Sequence, residues 1–285
     1  MATPRLGLEI PAFGALAALD AINLGATRIE LNAHGSYGDG GLTPTLEDLK
    51  QLTSACDLRC PLRIMIRPRG PPGLSSSSGA EQISRMDFVY SDEEFDIMEA
   101  SIKAFRESGL LDASRGDGFV FGILEEDELA QRGDGTRRQR CWVDEVRCTR
   151  LVRAAQPFKC VFHRAFDEIV SCDDISSNGP TELPWEAGLD AIATCGFNGI
   201  LTSGGLGRAI DNLNVMERII RRANAPEVEI IVGGGVRTRN VEEIVQRLAL
   251  RDKPGSVYLH SACLYGDGRE YLNPDEAQGM LARLR

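Results

Sequence analysis

Residues 159–168 read K-C-V-F-H-R-A-F-D-E. Residues 160–162 form a short apolar run of the kind that makes a buried strand in a parallel sheet. His163, Arg164 and Asp167 follow at once, so titratable side chains stand where this strand ends. A strand that leads directly into such side chains usually indicates a site. The segment therefore predicts both a parallel sheet and a site at one of its edges.

Glycine clusters follow two other apolar segments in the same way. Ser203-Gly204-Gly205 comes after residues 200–202, and Gly233-Gly234-Gly235 comes after residues 230–232. Glycine lets backbone N–H groups approach a bound anion, so these clusters predict an anion pocket at the strand ends. The alternative is that the glycines only make tight turns from strand to helix.

The whole chain repeats this alternation of strand and helix. Eight segments fit strands, and each but the last is followed by a helical pattern: 6–10, 28–31, 62–66, 118–124, 159–162, 199–202, 228–232 and 257–260. Strands spaced in this way pair in parallel through right-handed crossovers. Eight such units predict a (β/α)8 TIM-type barrel, and an open doubly wound sheet is the alternative.

We expect residues 1–285 to form a single barrel domain with three surface insertions, near 71–87, 125–140 and 171–183. The first insertion contains four consecutive serines, 75–78, and lacks the apolar residues needed for packing. It is either a tolerated surface loop or a functional lid.

Composition excludes several classes of partner. The net charge of −10 argues against binding nucleic acid or an anionic membrane, since both require clustered Lys and Arg. No apolar run approaches the roughly 20 residues of a membrane span, and no signal peptide is evident, which predicts a cytoplasmic protein. The eight cysteines are scattered without C-x-x-C pairs. We interpret them as reduced core cysteines and not as a copper or zinc motif.

The barrel would bring distant polar residues to its C-terminal face. These are Glu9, Glu30, Arg67, Arg69, His163, Arg164, Ser203 and His260. Glu9 and Glu30 could act as a carboxylate pair in acid/base chemistry or hold a hard cation, and His163 could carry a proton or ligate a transition metal. Alternatively, the two glutamates form a structural ion pair with Arg67. His260 either completes the anion pocket or packs beneath it as a neutral histidine.

Several sequence blocks resemble the CutC family of copper homeostasis proteins, in the family's order. They are R-I-E-L at 28–31, G-G-L-T-P-T at 40–45, M-I-R-P-R-G at 65–70, Y-S-D-E-E-F at 90–95, F-H-R-A-F-D at 162–167, L-T-S-G-G at 201–205, G-G-G-V-R at 233–237 and H-S at 260–261. The resemblance implies a (β/α)8-type barrel, a cytosolic location, assembly as a homo-oligomer and a role in copper handling. Pro11 and Asn32 stand where the family pattern commonly has cysteine. Thiolates favour Cu(I), so these two positions lack the expected ligands.

Two functions remain open from the sequence. The resemblance implies a protein of copper binding or copper tolerance, with copper as ligand and metal-binding residues unassigned. Residue chemistry favours a cytosolic enzyme for a small anionic substrate, such as a phosphorylated one. In that case Arg67, Arg164 and the glycine loops would bind the anion, and His163 or a glutamate would transfer the proton.

Overall fold

A computed structural model describes residues 6–72, 87–126, 140–172, 183–224, 227–252, 257–266 and 270–285. Eight parallel strands close into a barrel in the order β1-β10-β9-β8-β7-β4-β3-β2. The barrel strands are β1 (Gly7–Phe13), β2 (Arg28–Asn32), β3 (Leu62–Met65), β4 (Gly118–Phe121), β7 (Lys159–Phe162), β8 (Gly199–Thr202), β9 (Glu229–Val232) and β10 (Val257–His260). The predicted (β/α)8 barrel is confirmed. The alternative of an open doubly wound sheet is wrong, because the sheet is closed.

Helices surround the barrel and connect its strands. They are α1 (Ala15–Leu24), α2 (Leu46–Ala55), α3 (Asp92–Glu107), α4 (Glu145–Ala155), α5 (Ala165–Val170), α6 (Pro184–Cys195), α7 (Leu213–Ala223), α8 (Val241–Arg247) and α9 (Pro274–Leu284). α3 begins where its sequence signal lies, because Ser91 and Glu94 form the capping box. Local capping chemistry thus sets helix starts that were readable from sequence.

Alternation along the strands divides the core into two layers. Leu8 and Ile10 of β1 face outward into the large cluster beneath the helices. Inside the barrel, a small apolar cluster is made by Met65, Val120, Val161, Leu201 and Ile231. Polar side chains above and below that cluster occupy the rest of the interior.

The region around the second predicted insertion differs from expectation. The predicted strand 118–124 ends at Phe121, and β5 (Leu124–Glu126) pairs antiparallel with β6 (Cys141–Val143). The helix α4 follows this hairpin and begins at Glu145, where the side chain of Asp144 accepts from the backbone N–H of Arg147. Cys141 and Val143 are buried and Trp142 is exposed, a period-2 pattern too short to recognise in sequence.

The three insertions fall largely outside the described residues, which lack 73–86, 127–139 and 173–182. The helix α5, at Ala165–Val170, was not predicted and follows β7 directly. No helix in the described part of the chain is long and apolar enough to cross a membrane.

At Gly118 the strands β4 and β7 approach each other too closely for a side chain. A Cβ atom at this position would lie 2.1 Å from the backbone carbonyl oxygen of Lys159, in the paired strand. Because backbone atoms cannot move aside, we expect Gly118→Ala to lower the free energy of unfolding by about 1–3 kcal/mol. Gly38→Ala is the matched control, since a Cβ there meets nothing within 4 Å. Equal urea midpoints for the two variants would contradict this packing.

Candidate functional site

A cavity of about 490 Å³ opens at the C-terminal end of the barrel. The residues predicted from sequence that line it are Glu30, Arg67, His163, Arg164, Gly234, Gly235 and His260. Of the other predicted site residues, Glu9, Ser203, Gly204, Gly205 and Gly233 do not line this cavity. Parallel strands therefore bring together side chains that are more than 200 positions apart, because all of them end at the same face.

Glu9 lies one layer below the cavity and is almost fully buried. Its carboxylate accepts a hydrogen bond from Nε of Arg28, and its Oε1 is 2.7 Å from Nδ1 of His260. Burial alone would raise the pKa of Glu9, but Arg28 and His260 together lower it to about 2. Glu9 is thus an ionised carboxylate held between two cationic partners.

Arg28 connects this layer to the lower half of the barrel. Its Nη1 is 2.8 Å from Oε2 of Glu229, and its guanidinium lies 3.6 Å from the ring centroid of Tyr258. The alternative of an ion pair between the glutamates and Arg67 is wrong for Glu9, whose ionic partners are Arg28 and His260. Arg67 instead pairs with Asp87 at 2.8 Å.

The pKa values of Glu30 and His260 are both raised. Burial raises the pKa of Glu30, and the charge of Glu9 adds to this effect while His260 opposes it. Burial by itself lowers the pKa of His260, yet Glu30 and Glu9 raise it overall. The environment therefore separates the two carboxyl groups into an ionised Glu9 and a Glu30 that retains its proton to higher pH.

Glu30 is also positioned to act on a ligand. Its Oε1 accepts a hydrogen bond from Nδ2 of Asn32 at 3.1 Å. Its Oε2 is buried and has no hydrogen-bond partner among the described residues. Since Glu30 lines the cavity, this oxygen is the one that can exchange a proton or ligate an ion.

His163 is a neutral hydrogen-bond donor. Burial lowers its pKa to about 3, and the charge of Arg67 adds to this effect. The backbone N–H of Ala165 donates to Nδ1 at 3.3 Å, so the ring proton belongs on Nε2. Nε2 has no hydrogen-bond partner within the described ranges. In this tautomer His163 offers an N–H to a ligand oxygen and has no lone pair available at Nε2 for a metal.

Arg67 forms part of the cavity wall beside His163. Its Nη1 donates to the backbone carbonyl groups of Asp39 and Gly41, and Phe88 lies between the two side chains, 5.0 Å from the guanidinium and 4.6 Å from the imidazole ring. Nε of Arg67 is buried without a partner among the residues described. These contacts hold the guanidinium in one orientation at the cavity.

The turn 203–205 binds an internal carboxylate. Oδ1 of Asp167 accepts from the backbone N–H of Ser203 at 3.0 Å and of Gly205 at 3.3 Å. Oδ2 accepts from Nε of Arg164 at 2.7 Å. The first glycine cluster therefore uses its N–H groups to fix α5 against β8. An anion from solution would have to displace Asp167 from this turn.

The second glycine cluster remains at the cavity. Gly234 and Gly235 line the cavity, with φ values of 90° and 69° that favour glycine. Arg237 follows them and lines the same wall, with its Nη1 donating to Oγ of Ser261 at 3.0 Å. Arg67, Arg164 and Arg237 thus place three guanidinium groups around one cavity. A small anion could bind these groups in competition with Asp87, which pairs with Arg67, and Asp167, which pairs with Arg164.

Sequence reasoning missed Arg28, Arg237 and the partner of Arg67. Arg28 could have been found, because residues 28, 30 and 32 point to one face of a strand. Arg237 stands within the block G-G-G-V-R, two residues after the second glycine cluster. Arg69, expected at this face, instead pairs with Glu94 at 2.6 Å and does not line the cavity.

Among the described residues, one cluster of three potential metal ligands is present. Potential ligand atoms of Glu9, Glu30 and His260 lie within 4.8 Å of one another. Two carboxylates and one imidazole suit a divalent ion of borderline or hard character and do not suit Cu(I), which favours sulfur. Pro11 lines the cavity and Asn32 bonds Glu30, so the two positions without cysteine do lie beside this cluster.

Comparison with known proteins identifies relatives of the whole barrel. The model of the CutC family matches residues 8–261. A human protein named copper homeostasis protein cutC homolog is 30% identical over 229 residues, covering 80% of this chain and 65% of the human protein. The chain thus matches less than two thirds of that relative's length. A CutC family protein of Mesorhizobium japonicum is 31% identical over 274 residues, covering 95% of this chain and 84% of that protein.

A solved structure has the same barrel. The structure described as the copper homeostasis protein CutC of Streptococcus agalactiae gives a TM-score of 0.64 at 24% identity, and the match covers 90% of this chain and 98% of that one. At this identity the likeness shows the shared fold.

The buried pair of Glu9 and Arg28 predicts a pH-dependent stability. Because the pKa of Glu9 is lowered to about 2, its contribution is complete above its ordinary value of 4.5 and disappears as the pH falls toward 2. We expect Glu9→Gln to lower the free energy of unfolding at pH 7 by about 3–5 kcal/mol, because Arg28 loses its buried counterion. Urea denaturation from pH 7 to pH 3 would measure the free energy of unfolding of both proteins. The difference in this free energy between Glu9→Gln and the unmodified chain should become smaller below pH 4.5.

Asp211→Asn is the matched control, because Asp211 forms an exposed ion pair with Arg208. We expect almost no change from that variant, since exposed pairs contribute little. A difference for Glu9→Gln that stays constant down to pH 3 would contradict the assigned ionisation.

Proposed function

This chain belongs to the CutC family, and from that premise we propose that it acts in copper homeostasis, as the names of its relatives state for them. The cluster of Glu9, Glu30 and His260 at the barrel mouth is the observation that supports a copper site. In this proposal copper is the cargo or substrate of the protein, and not a resident cofactor.

The oxidation state follows from the donor atoms. The cluster offers two carboxylates and an imidazole, and it lacks thiolates because Pro11 and Asn32 occupy the nearby positions. We infer that the barrel mouth takes Cu(II) and binds Cu(I) weakly. Binding would release the protons that Glu30 and His260 retain, so affinity should rise with pH.

The copper proposal predicts one Cu(II) ion per chain at this cluster. We expect the electron paramagnetic resonance spectrum of the protein with one equivalent of Cu(II) to show nitrogen coupling from a single imidazole. His260→Asn should abolish that coupling and weaken binding by about tenfold or more, and Glu30→Gln should weaken it comparably. His34→Asn is the control, because His34 lies outside the cluster.

Loss of the coupling in His34→Asn, with retention in His260→Asn, would place the ion elsewhere and refute this site. Tight one-to-one binding of Cu(I) that Glu30→Gln or His260→Asn abolishes would refute the inferred oxidation state.

A second candidate function is acid/base catalysis on a small anionic substrate. Three buried polar atoms favour it, namely Oε2 of Glu30, Nε2 of His163 and Nε of Arg67, none of which has a partner among the described residues. All three residues line one cavity. A donor, a proton-exchanging carboxyl and a fixed cation are the components of a general acid/base site.

The proposed roles divide along the cavity wall. Arg67, Arg164 and Arg237 would bind an anionic group such as carboxylate or phosphate, with Gly234 and Gly235 allowing close approach of the backbone. His163 would donate its Nε2 proton in a hydrogen bond to a substrate oxygen where negative charge develops. Glu30 would give or take the substrate proton, because its raised pKa brings it nearer neutrality. Ser203, Gly204, Gly205 and Gly233 would support this wall from behind.

The anion proposal predicts stabilisation by simple anions. We expect phosphate or sulfate to raise the melting temperature, since a ligand at a hundred times its dissociation constant stabilises by about 2.7 kcal/mol. Arg67→Lys should reduce the shift, because lysine cannot reproduce a bidentate guanidinium contact. Arg69→Lys is the control, because Arg69 does not line the cavity. An equal shift in both variants would make Arg67 structural, and no shift with either anion would refute the pocket.

The family resemblance also implies a location, an assembly state and a domain organisation for this protein. We propose a cytoplasmic homo-oligomer, each copy forming a single barrel domain with insertions near 71–87, 125–140 and 171–183. The net charge of −10 supports the expectation that neither nucleic acid nor an anionic membrane is a partner.

A further inference from the structure

Two cysteines that are distant in sequence meet behind the cavity wall. Sγ of Cys141, in β6, lies 3.4 Å from Sγ of Cys172, which follows α5. They are 31 positions apart, so no sequence motif indicates the contact. No disulfide joins them. Both cysteines are reduced, as expected from sequence, and the contact between them is what residue spacing did not indicate.

Backbone groups on both sides hold the Cys172 thiol in place, because its Sγ also donates to the carbonyl oxygens of Glu168 at 3.3 Å and Cys141 at 3.8 Å. The backbone N–H of Cys141 donates to Sγ of Cys172 at 3.3 Å. Cys172 is half-buried, whereas Cys141 is buried, so an ion can arrive from the side of Cys172. The contact with Cys172 and burial both raise the pKa of Cys141, which keeps its thiol protonated until an ion displaces the proton.

We propose that Cys141 and Cys172 form a two-sulfur binding site for a soft monovalent cation, Cu(I), outside the barrel mouth. This inference rests on the proposed copper role only for the choice of metal. Binding replaces two thiol protons by one ion, so that Cu⁺ and two thiols give a bis-thiolate complex and two protons, without any change of oxidation state.

The number of ligands fits Cu(I) better than Zn(II). In the described part of the chain, no third His, Cys, Asp or Glu side chain completes a metal cluster with this pair. Structural Zn(II) sites require four protein ligands, whereas Cu(I) is satisfied by two thiolates. With metal–sulfur bonds of about 2.3 Å, two sulfurs on opposite sides of an ion lie at most about 4.6 Å apart. The pair thus has to open by about 1 Å to hold an ion between its two sulfur atoms.

The site would be coupled to the barrel mouth. Sγ of Cys172 contacts the backbone carbonyl oxygen of Glu168 at 3.3 Å, and Glu168 lines the cavity. The hydroxyl of the adjacent Ser171 accepts the backbone N–H of Leu206 at 2.8 Å, and Leu206 also lines the cavity. An ion held by Cys172 would therefore fix the end of α5 close to the residues that bind a ligand.

Competition with the chromogenic Cu(I) chelator bicinchoninate tests the site in the reduced full-length chain without oxygen. We expect the protein to remove one equivalent of Cu(I), and Cys172→Ser to weaken this uptake by about tenfold or more. Cys56→Ser is the matched control, because Cys56 is also partly exposed and lies outside the pair. Zn(II) should not compete for the site.

Glu30→Gln separates this inference from the Cu(II) proposal. It should leave Cu(I) uptake unchanged while weakening Cu(II) binding, so either proposal can fail alone. Alkylation of the unmodified protein gives a second measurement that does not depend on folding of a variant: one equivalent of Cu(I) should protect Cys172 from iodoacetamide. Uptake that is absent, or equal in Cys172→Ser and the unmodified chain, would overturn the site. So would a Cys141–Cys172 disulfide formed in place of Cu(I) uptake.

Discussion

The buried ion pair between Glu9 and Arg28 is the interaction on which the chemistry of the barrel mouth depends. Charges are costly to bury, and a pair of them persists only where further partners satisfy both groups. Here Glu229 and Tyr258 hold Arg28 from below, and His260 holds Glu9 from above. The interior of the barrel is therefore organised as a column of alternating charge beneath the cavity.

Burial and this column together determine how the cavity residues ionise. The permanent negative charge of Glu9 favours a proton on both neighbours, Glu30 and His260. Burial and the positive charge of Arg67 together lower the pKa of His163 and keep that ring neutral. One cavity thus contains a carboxyl group that retains its proton and a neutral imidazole donor. Either copper or an anionic substrate would meet these same groups, and the arrangement explains why both proposals depend on Glu30.

Sequence alone predicted the barrel because its evidence is local and repeated. Strand periodicity, the capping box at Ser91 and Glu94 and the glycine turns each depend on neighbouring residues. The strand-end rule then brought Glu30, Arg67 and His163 to one cavity. Pairing could not be predicted in the same way, because it depends on register and depth.

Three contacts illustrate this limit. Glu9 was expected near Arg67 and instead lies deeper, where strand register places it beside Arg28 and His260. The N–H groups of the turn 203–205 were expected to bind a ligand, but α5 delivers Asp167 to them. Cys141 and Cys172 meet only because the hairpin of β5 and β6 folds against the end of α5. Each of these outcomes requires long-range geometry that residue spacing does not contain.

The most direct measurement is the titration of the glutamate side chains by carbon-13 nuclear magnetic resonance, with Glu9→Gln and Glu30→Gln used to assign the two resonances. We expect Glu30 to titrate above the ordinary value of 4.5 and Glu9 to titrate far below it, near 2. The Glu9→Gln substitution should also lower the pKa of Glu30. A Glu30 that titrates at or below 4.5, or one that does not respond to Glu9→Gln, would contradict the charge arrangement from which the proposed chemistry is derived.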